Sequence, residues 1–145
     1  MKTDKILIVA DDSESSIKVI EYGFNLAQAL SAKVILLNVV DPIYSLGNPD
    51  AGIFPDDALV ASQASAVTFL SAMKESYGAG IDVELLIPVG NVQAAVCKTA
   101  EQQGADLIVT GTRSRTGLAL LFRGSVAESI IHHSPVPVCV VPMGE

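Results

Sequence analysis

Short apolar runs alternate with longer segments of helical periodicity along this chain of 145 residues. Five runs rich in Val, Ile and Leu are apolar at almost every position, which is typical of strands buried on both faces. They cover residues 5–10, 33–40, 83–89, 106–111 and 136–141. The pattern predicts helices between them, at about 13–30, 56–77, 91–103 and 125–133. Because the alternation contains no internal repeat or linker, it predicts a single domain over residues 1–145.

The first two predicted helices each carry an apolar stripe at steps of three and four residues. Ser13 is the predicted N-cap of the first helix, because its hydroxyl can accept from an amide of the first turn. The stripe of the first helix is Ile17, Ile20, Phe24, Ala27 and Leu30, and that of the second is Val60, Ala64, Val67, Leu70 and Met73. We expect these stripes to be buried.

Strands that are buried on both faces and linked by helices form a parallel sheet covered on both sides. The predicted fold is therefore a doubly wound α/β domain with five parallel strands, and strand order 3-2-1-4-5 makes the rest of the pattern coherent. In such sheets ligands bind beyond the carboxyl ends of the strands, where the strand order reverses. The segments that would flank this crevice are Asp11 to Ser13 after the first strand and Gly111 to Ser114 after the fourth.

Composition and charge exclude several classes of partner. The formal net charge is -7, so the chain lacks the basic footprint that nucleic acids and anionic membranes require of a main partner. The apolar run near the N-terminus is too short for a signal peptide or a membrane span, and we expect a cytoplasmic protein. Cys97 and Cys139 lack metal-ligand spacing, so we expect two buried, reduced thiols.

All three arginines of this acidic chain, Arg113, Arg115 and Arg123, lie within residues 111–126. Gly124 and Ser125 precede a predicted helix, whose free first-turn amides and dipole favour an anion, and guanidinium groups suit phosphate oxygens. The stretch therefore indicates a phosphate site. Two alternatives stay open: Ser125 and Glu128 also form a capping box that needs no ligand, and the arginines could simply solvate an exposed loop.

The whole chain resembles the universal stress protein family. The family's nucleotide-binding motif is glycine, two residues, glycine, nine residues, then glycine and a hydroxyl residue; Gly111, Gly124 and Ser125 match it, and Ser114 replaces the second glycine. The opening KILIVADDSES resembles the family's first strand, with Asp12 in place of the usual glycine, and LLNVVD resembles the second. The segments GADLIVTGT, GSVAESII and SPVPVCVVP are the most specific.

The resemblance implies a Rossmann-like fold related to the adenine-nucleotide alpha-hydrolases, a homodimer, and bound ATP, alone or with magnesium or manganese. It implies that Asp11 and Val39 face the adenosine end and that Gly111 lies near the ribose. Ser114, Gly124 and Ser125 would then meet the phosphates. The full set of expected binding residues is Asp11, Ser13, Val39, Gly111, Arg113, Ser114, Gly124, Ser125 and Val126.

Three functions compete. The first is an ATP-binding regulatory module that acts on an unknown protein partner, and the second is a stress-response dimer that binds no nucleotide and works through protein contacts. An enzyme is the weakest reading, with slow ATP hydrolysis at most, because no general base stands beside the loop and no lysine follows Gly124 as in a P-loop. We expect the homodimer to form through the C-terminal strand, residues 136–142, at the edge of the sheet.

Overall fold

The computed structural model describes residues 2–11, 14–42, 50, 55–112 and 125–142. Strands and helices alternate along the chain as the apolar pattern predicts. In chain order they are β1 Lys5–Val9, α1 Ser15–Leu30, β2 Lys33–Leu37, α2 Pro55–Tyr77, β3 Val83–Leu86, α3 Val92–Gln103, β4 Leu107–Gly111, α4 Ser125–His133 and β5 Val138–Val141.

The five strands form one parallel sheet in the order β3-β2-β1-β4-β5, which confirms the predicted strand order. β1 is central: Leu7 stands opposite Ile35 of β2 and Ile108 of β4. The chain leaves β1 toward β2 on one side and returns to β4 on the other, so the order reverses between β1 and β4. That reversal puts the switch point of the sheet at the carboxyl ends of these two strands.

Helices cover both faces of the sheet because successive strand side chains point to opposite sides. Ile6 and Ile8 of β1 join one core with Phe24 of α1 and Leu70 of α2. Leu7, between them, joins a second core with α3 and α4. Ile6, Leu7 and Ile8 are each 0% exposed, and burying an aliphatic side chain of this size stabilises the fold by about 1.5–3 kcal/mol.

α1 approaches β1 very closely because Gly23 has no side chain. A Cβ atom at Gly23 would lie 2.5 Å from Cδ1 of Ile8. α1 and α3 end in a matched way: Ser31 after α1 and Gly104 after α3 both have left-handed backbone angles, with φ of 53° and 68°. The close contact fixes α1 on the sheet, and the caps satisfy the last carbonyls of α1 and α3.

The predicted apolar faces of α1 and α2 are partly wrong. Val60 and Val67 are 63% and 48% exposed, Ala64 is also exposed, and Leu30 at the end of α1 is 42% exposed. The prediction is confirmed for Leu70 and Met73, which pack against the core together with Ala66 and Phe69. The predicted stripe is therefore split: Leu70 and Met73 pack against the core, whereas Val60, Ala64 and Val67 are exposed.

All five strands are shorter than predicted, β1 and β4 by one residue and the other three by two or more. β2 ends at Leu37, β3 ends at Leu86 and β5 begins at Val138, and beyond β2 and β3 a single isolated bridge joins Val40 and Val89. At the start of α1, Glu14 occupies the N-cap position in a helical conformation and its side chain makes no cap. Ser13, the predicted cap, lies outside the described residues.

Candidate functional site

Three of the predicted site residues meet at the carboxyl edge of the sheet. Gly111 is the last residue of β4. Asp11 and Val39 lie at equivalent positions, each two residues beyond the end of its strand, β1 and β2. β1 is the neighbour of both β2 and β4, so it brings these three positions to adjacent places at the switch point. All three residues are half-buried, and therefore within reach of a ligand from solvent.

The turn after β1 is held by a residue that the sequence analysis missed. The backbone amide of Asp11 donates to Oγ of Ser16, at 3.3 Å, and Ser16 is 1% exposed in the first turns of α1. Buried serine hydroxyls need such a partner. The signal in the sequence is the cluster of serines at 13, 15 and 16. The sequence alone does not identify which of the three faces the sheet.

The backbone of Val39 is open toward β1. In β2 the backbone groups of alternate residues face opposite neighbours: the Lys33 amide donates to Asp4 of the β1 side, whereas the Val34 and Asn38 amides donate to Asp82 and Leu86 of the β3 side. The backbone amide and carbonyl of Val39 therefore face β1. Among the described residues, no hydrogen bond involves its amide or its carbonyl.

The side chain of Asn38, which is 5% exposed, makes the hydrogen bond to β1 that the backbone amide of Val39 would make if the β1–β2 ladder were one step longer. Its Nδ2 donates to the carbonyl oxygen of Ala10 at 2.9 Å. The Ala10 amide still donates to the Leu37 carbonyl at 2.8 Å, so this is the last backbone hydrogen bond between the two strands. The sequence analysis missed Asn38 as well, although a polar residue in the interior of the apolar run 33–40 was a signal.

The phosphate end of the predicted site is only partly described. Ser125 is the first residue of α4, and Val126 is half-buried against the core formed with α3. Glu128 lies in the first turn of the same helix. Ser13, Arg113, Ser114 and Gly124 lie outside the described residues, so the structure does not choose between the capping box and an anion site.

The other residues of possible functional interest, the cysteines, histidines and acidic residues, form no cluster of three or more in the described part of the chain that could hold a metal ion. Cys97 and Cys139 are free but half-buried, so the prediction that they are buried is wrong. His133 ends α4, where its Nδ1 lies 2.8 Å from the Ser129 carbonyl. Among the described helices, none combines the length and the apolar character needed to cross a membrane.

Comparison with known proteins extends these observations. The model of the universal stress protein family matches residues 2–142. A universal stress protein of Methanocaldococcus jannaschii is 33% identical over 141 residues, which cover 94% of this chain and 81% of that protein. The solved structure of the hypothetical protein MJ0577 has a TM-score of 0.84 at 27% identity, over 100% of this chain and 99% of that one.

Two further solved structures contain nucleotides. A universal stress protein in complex with cAMP has a TM-score of 0.70 at 22% identity, over 99% of this chain and 100% of that one. The universal stress protein of Archaeoglobus fulgidus in complex with dAMP has a TM-score of 0.65 at 19% identity, over 97% and 98%. At these identities the likeness shows the fold alone. Given a family match that spans nearly the whole chain, a relative at 33% identity and the doubly wound sheet, the chain belongs to the universal stress protein family.

Proposed function

We propose that the protein is a regulatory module that binds an adenine nucleotide, ATP in particular, and acts as a homodimer. The observation that carries this proposal is the open backbone of Val39 at the switch point of the sheet. The cAMP and dAMP complexes of two structurally similar family members support a nucleotide as the ligand class.

The backbone of Val39 matches the hydrogen-bonding groups of adenine. One residue offers an amide donor and a carbonyl acceptor on the same side of the strand. Adenine offers the complement, an amino donor beside a ring-nitrogen acceptor, whereas guanine has a carbonyl oxygen where adenine has its amino group. Guanine in the same position would turn that oxygen toward the Val39 carbonyl, and two acceptors facing each other repel.

The remaining expected binding residues follow from this orientation. With adenine at Val39, the ribose would lie toward Asp11, which follows β1, and Gly111, which ends β4 at the switch point. The triphosphate would continue to the segment with Arg113, Ser114 and Gly124 and to the N-terminus of α4. The amides and the dipole at a helix N-terminus favour an anion there, and arginine adds planar charged donors.

We propose that the homodimer forms through β5. This strand is one edge of the sheet, and the opposite edge, β3, carries the exposed Glu84, a charge that discourages pairing with another chain. Three of the four residues of β5 are half-buried valines or cysteine, which a second copy could cover. A regulatory protein partner and a cytoplasmic location stay predictions from the sequence.

The second candidate is a dimer that binds no nucleotide, and a specific feature favours it. Ser114 replaces a glycine of the family's nucleotide-binding motif. For both candidates we prefer a regulatory role to catalysis, because the sequence has no obvious general base or activated nucleophile beside the loop that begins at Gly111.

Calorimetric titration of ATP, GTP and inorganic tripolyphosphate into the purified protein tests the proposal. We expect ATP to bind, and GTP to bind about tenfold or more weakly, since one lost hydrogen bond and one repulsive contact amount to roughly 1.4 kcal/mol or more. Tripolyphosphate reports the phosphate end alone.

The alternative results are distinct. Equal affinities for ATP and GTP would show that the phosphates are bound without recognition of the base at Val39. If none of the three ligands binds, the protein is the nucleotide-free dimer of the second candidate. Native mass spectrometry of the purified protein would report any nucleotide that it retains and, in the same spectrum, its oligomeric state.

A further inference from the structure

We propose that Asn38 is a positioning residue: its side chain ends the β1–β2 ladder one step early and so keeps the backbone of Val39 open for the base of the ligand. This inference rests on the proposed adenine-nucleotide binding for its ligand. Its structural half, the ending of the ladder, can be tested without any ligand.

The register of the two strands identifies the hydrogen bond that Asn38 replaces. The Lys33 amide donates to the Asp4 carbonyl, and β1 and β2 keep the same offset through Val9 and Leu37. Continued one step of two residues beyond Leu37, that offset pairs the amide of Val39 with the carbonyl of Ala10. This carbonyl instead accepts from Nδ2 of Asn38 at 2.9 Å.

Burial makes this exchange stable. Ala10 and Asn38 are 4% and 5% exposed, so water cannot readily satisfy the Ala10 carbonyl or the Asn38 amide group. A buried carbonyl without a donor costs about 1–3 kcal/mol, and the Asn38 side chain removes that cost. With an apolar residue at 38, the nearest donor for Ala10 would be the amide of Val39.

The hydrogen bond from Asn38 to Ala10 does not disturb the hydrogen bonds between the chain beyond β2 and the chain beyond β3. The amides of Asn38 and Val40 donate to the Leu86 and Pro88 carbonyls at 3.1 and 2.9 Å, and the Gly90 amide donates to the Val40 carbonyl at 3.0 Å. Val39 is therefore held firmly between two residues bonded toward β3, while its own groups face the switch point. A rigid, preformed donor and acceptor pair loses little entropy when a ligand binds.

The test compares the parent with Asn38→Leu, which has nearly the same shape but no donor. The first measurement is amide hydrogen exchange by NMR on the ligand-free protein. In the parent we expect the Val39 amide to exchange much faster than the amides of Asn38 and Val40. In Asn38→Leu we expect its exchange to slow by about tenfold or more, because it takes over the Ala10 carbonyl.

The second measurement is calorimetry with ATP, GTP and tripolyphosphate. We expect Asn38→Leu to bind ATP about tenfold more weakly, as for the loss of one good hydrogen bond, with GTP and tripolyphosphate unchanged. Asn38→His restores a short side chain with an N–H donor, and we expect it to recover fast Val39 exchange and part of the ATP affinity.

Asp106→Ala is the matched control for a general loss of stability. Oδ2 of Asp106 accepts from the amides of Asp4 and Lys5 at 2.9 and 3.1 Å, so it ties β4 to β1 at the opposite end of the same strand. We expect this variant to melt at a lower temperature and to leave both Val39 exchange and the ATP to GTP affinity ratio unchanged.

Each contrary result would refute a different part of the proposal. Unchanged Val39 exchange in folded Asn38→Leu would refute the ending of the ladder by Asn38. Slower exchange with undiminished ATP affinity would refute the role in binding. If Asn38→Leu does not fold, Asn38→Asp, whose carboxylate cannot donate to Ala10, gives the same two readouts. If the parent binds no nucleotide, the proposed function fails, and the exchange data still decide whether Asn38 ends the ladder.

Discussion

Ser114 is the residue at which this chain departs most clearly from its family's nucleotide-binding motif. Glycine at that position allows a positive φ and leaves room for phosphate, and serine adds a Cβ atom that hinders both. Ser114 lies outside the described residues, so its angles are a matter for experiment. Backbone strain of this kind costs about 1–3 kcal/mol, and it would make the binding free energy of ATP less favourable by that amount.

We predict that Ser114→Gly binds ATP more tightly than the parent, by roughly 5- to 150-fold in a calorimetric titration, because the strain is relieved. Ser114→Ala is the matched control, since it keeps the Cβ atom and loses only the hydroxyl. If strain dominates, this control binds like the parent. Weaker binding by both variants would mean instead that the Ser114 hydroxyl donates to a phosphate oxygen.

Among the secondary-structure elements, α1 and α3 end with the same pattern of hydrogen bonds but with different residues. After α1, the amide of Ala32 donates to the Ala27 carbonyl at 2.8 Å, and after α3 the amide of Ala105 donates to the Ala100 carbonyl at 2.9 Å. The left-handed residue between is Ser31 in one case and Gly104 in the other. A Cβ atom is unfavourable in that conformation, so Ser31 is the weaker cap.

We therefore predict opposite effects from two substitutions. Ser31→Gly should raise the free energy of unfolding by about 0.5–1 kcal/mol, and Gly104→Ala should lower it by about 1 kcal/mol. Urea denaturation with unchanged m-values measures both. Ser31→Ala keeps the left-handed strain and should gain nothing; a gain equal to that of glycine would show that the serine hydroxyl, rather than the backbone, limits this cap.

For the whole molecule, β5 decides which surface can join two copies. The Ile108 amide donates to the Pro137 carbonyl at 3.0 Å, and Ile108 stands opposite Val138. Backbone groups alternate along a strand, so Cys139 faces β4 while Val138 and Val140 present their amides and carbonyls outward. Proline at position 140 would therefore remove an outward donor and no hydrogen bond to β4.

If the proposed dimer forms by pairing along β5, Val140→Pro should sediment as a monomer where the parent sediments as a dimer. Val140→Ala keeps the amide donor and should stay dimeric, which separates backbone pairing from loss of side-chain area. Deletion of the residues after Pro135 should give monomers or insoluble chain. A dimer that persists in Val140→Pro would move the interface elsewhere, for instance to the exposed Val60 and Val67 of α2.

The sequence alone predicted the class of fold, the succession of strands and helices and the strand order. The class of fold and the succession of elements follow from local patterns, because a strand buried on both faces is apolar at consecutive positions and a packed helix is apolar at steps of three and four. The strand order was assumed because it made the rest of the pattern coherent, and the structure confirms it. The positions of Asp11 and Gly111 at one edge follow from the same pattern, since Asp11 directly follows one predicted strand and Gly111 is the last residue of another. The relevance of Val39 came only from the family resemblance.

The tertiary structure decided what local patterns leave open. The apolar stripe predicted for α2 is wider than the face that is buried, and packing against the rest of the core leaves Leu70 buried and Val67 exposed. The early end of the β1–β2 ladder depends on a hydrogen bond between Asn38 and Ala10, which are 28 residues apart in the chain. Periodicity describes neighbours along the sequence, and these outcomes are set by neighbours in space, where burial and hydrogen-bond satisfaction select one arrangement among several that the sequence permits.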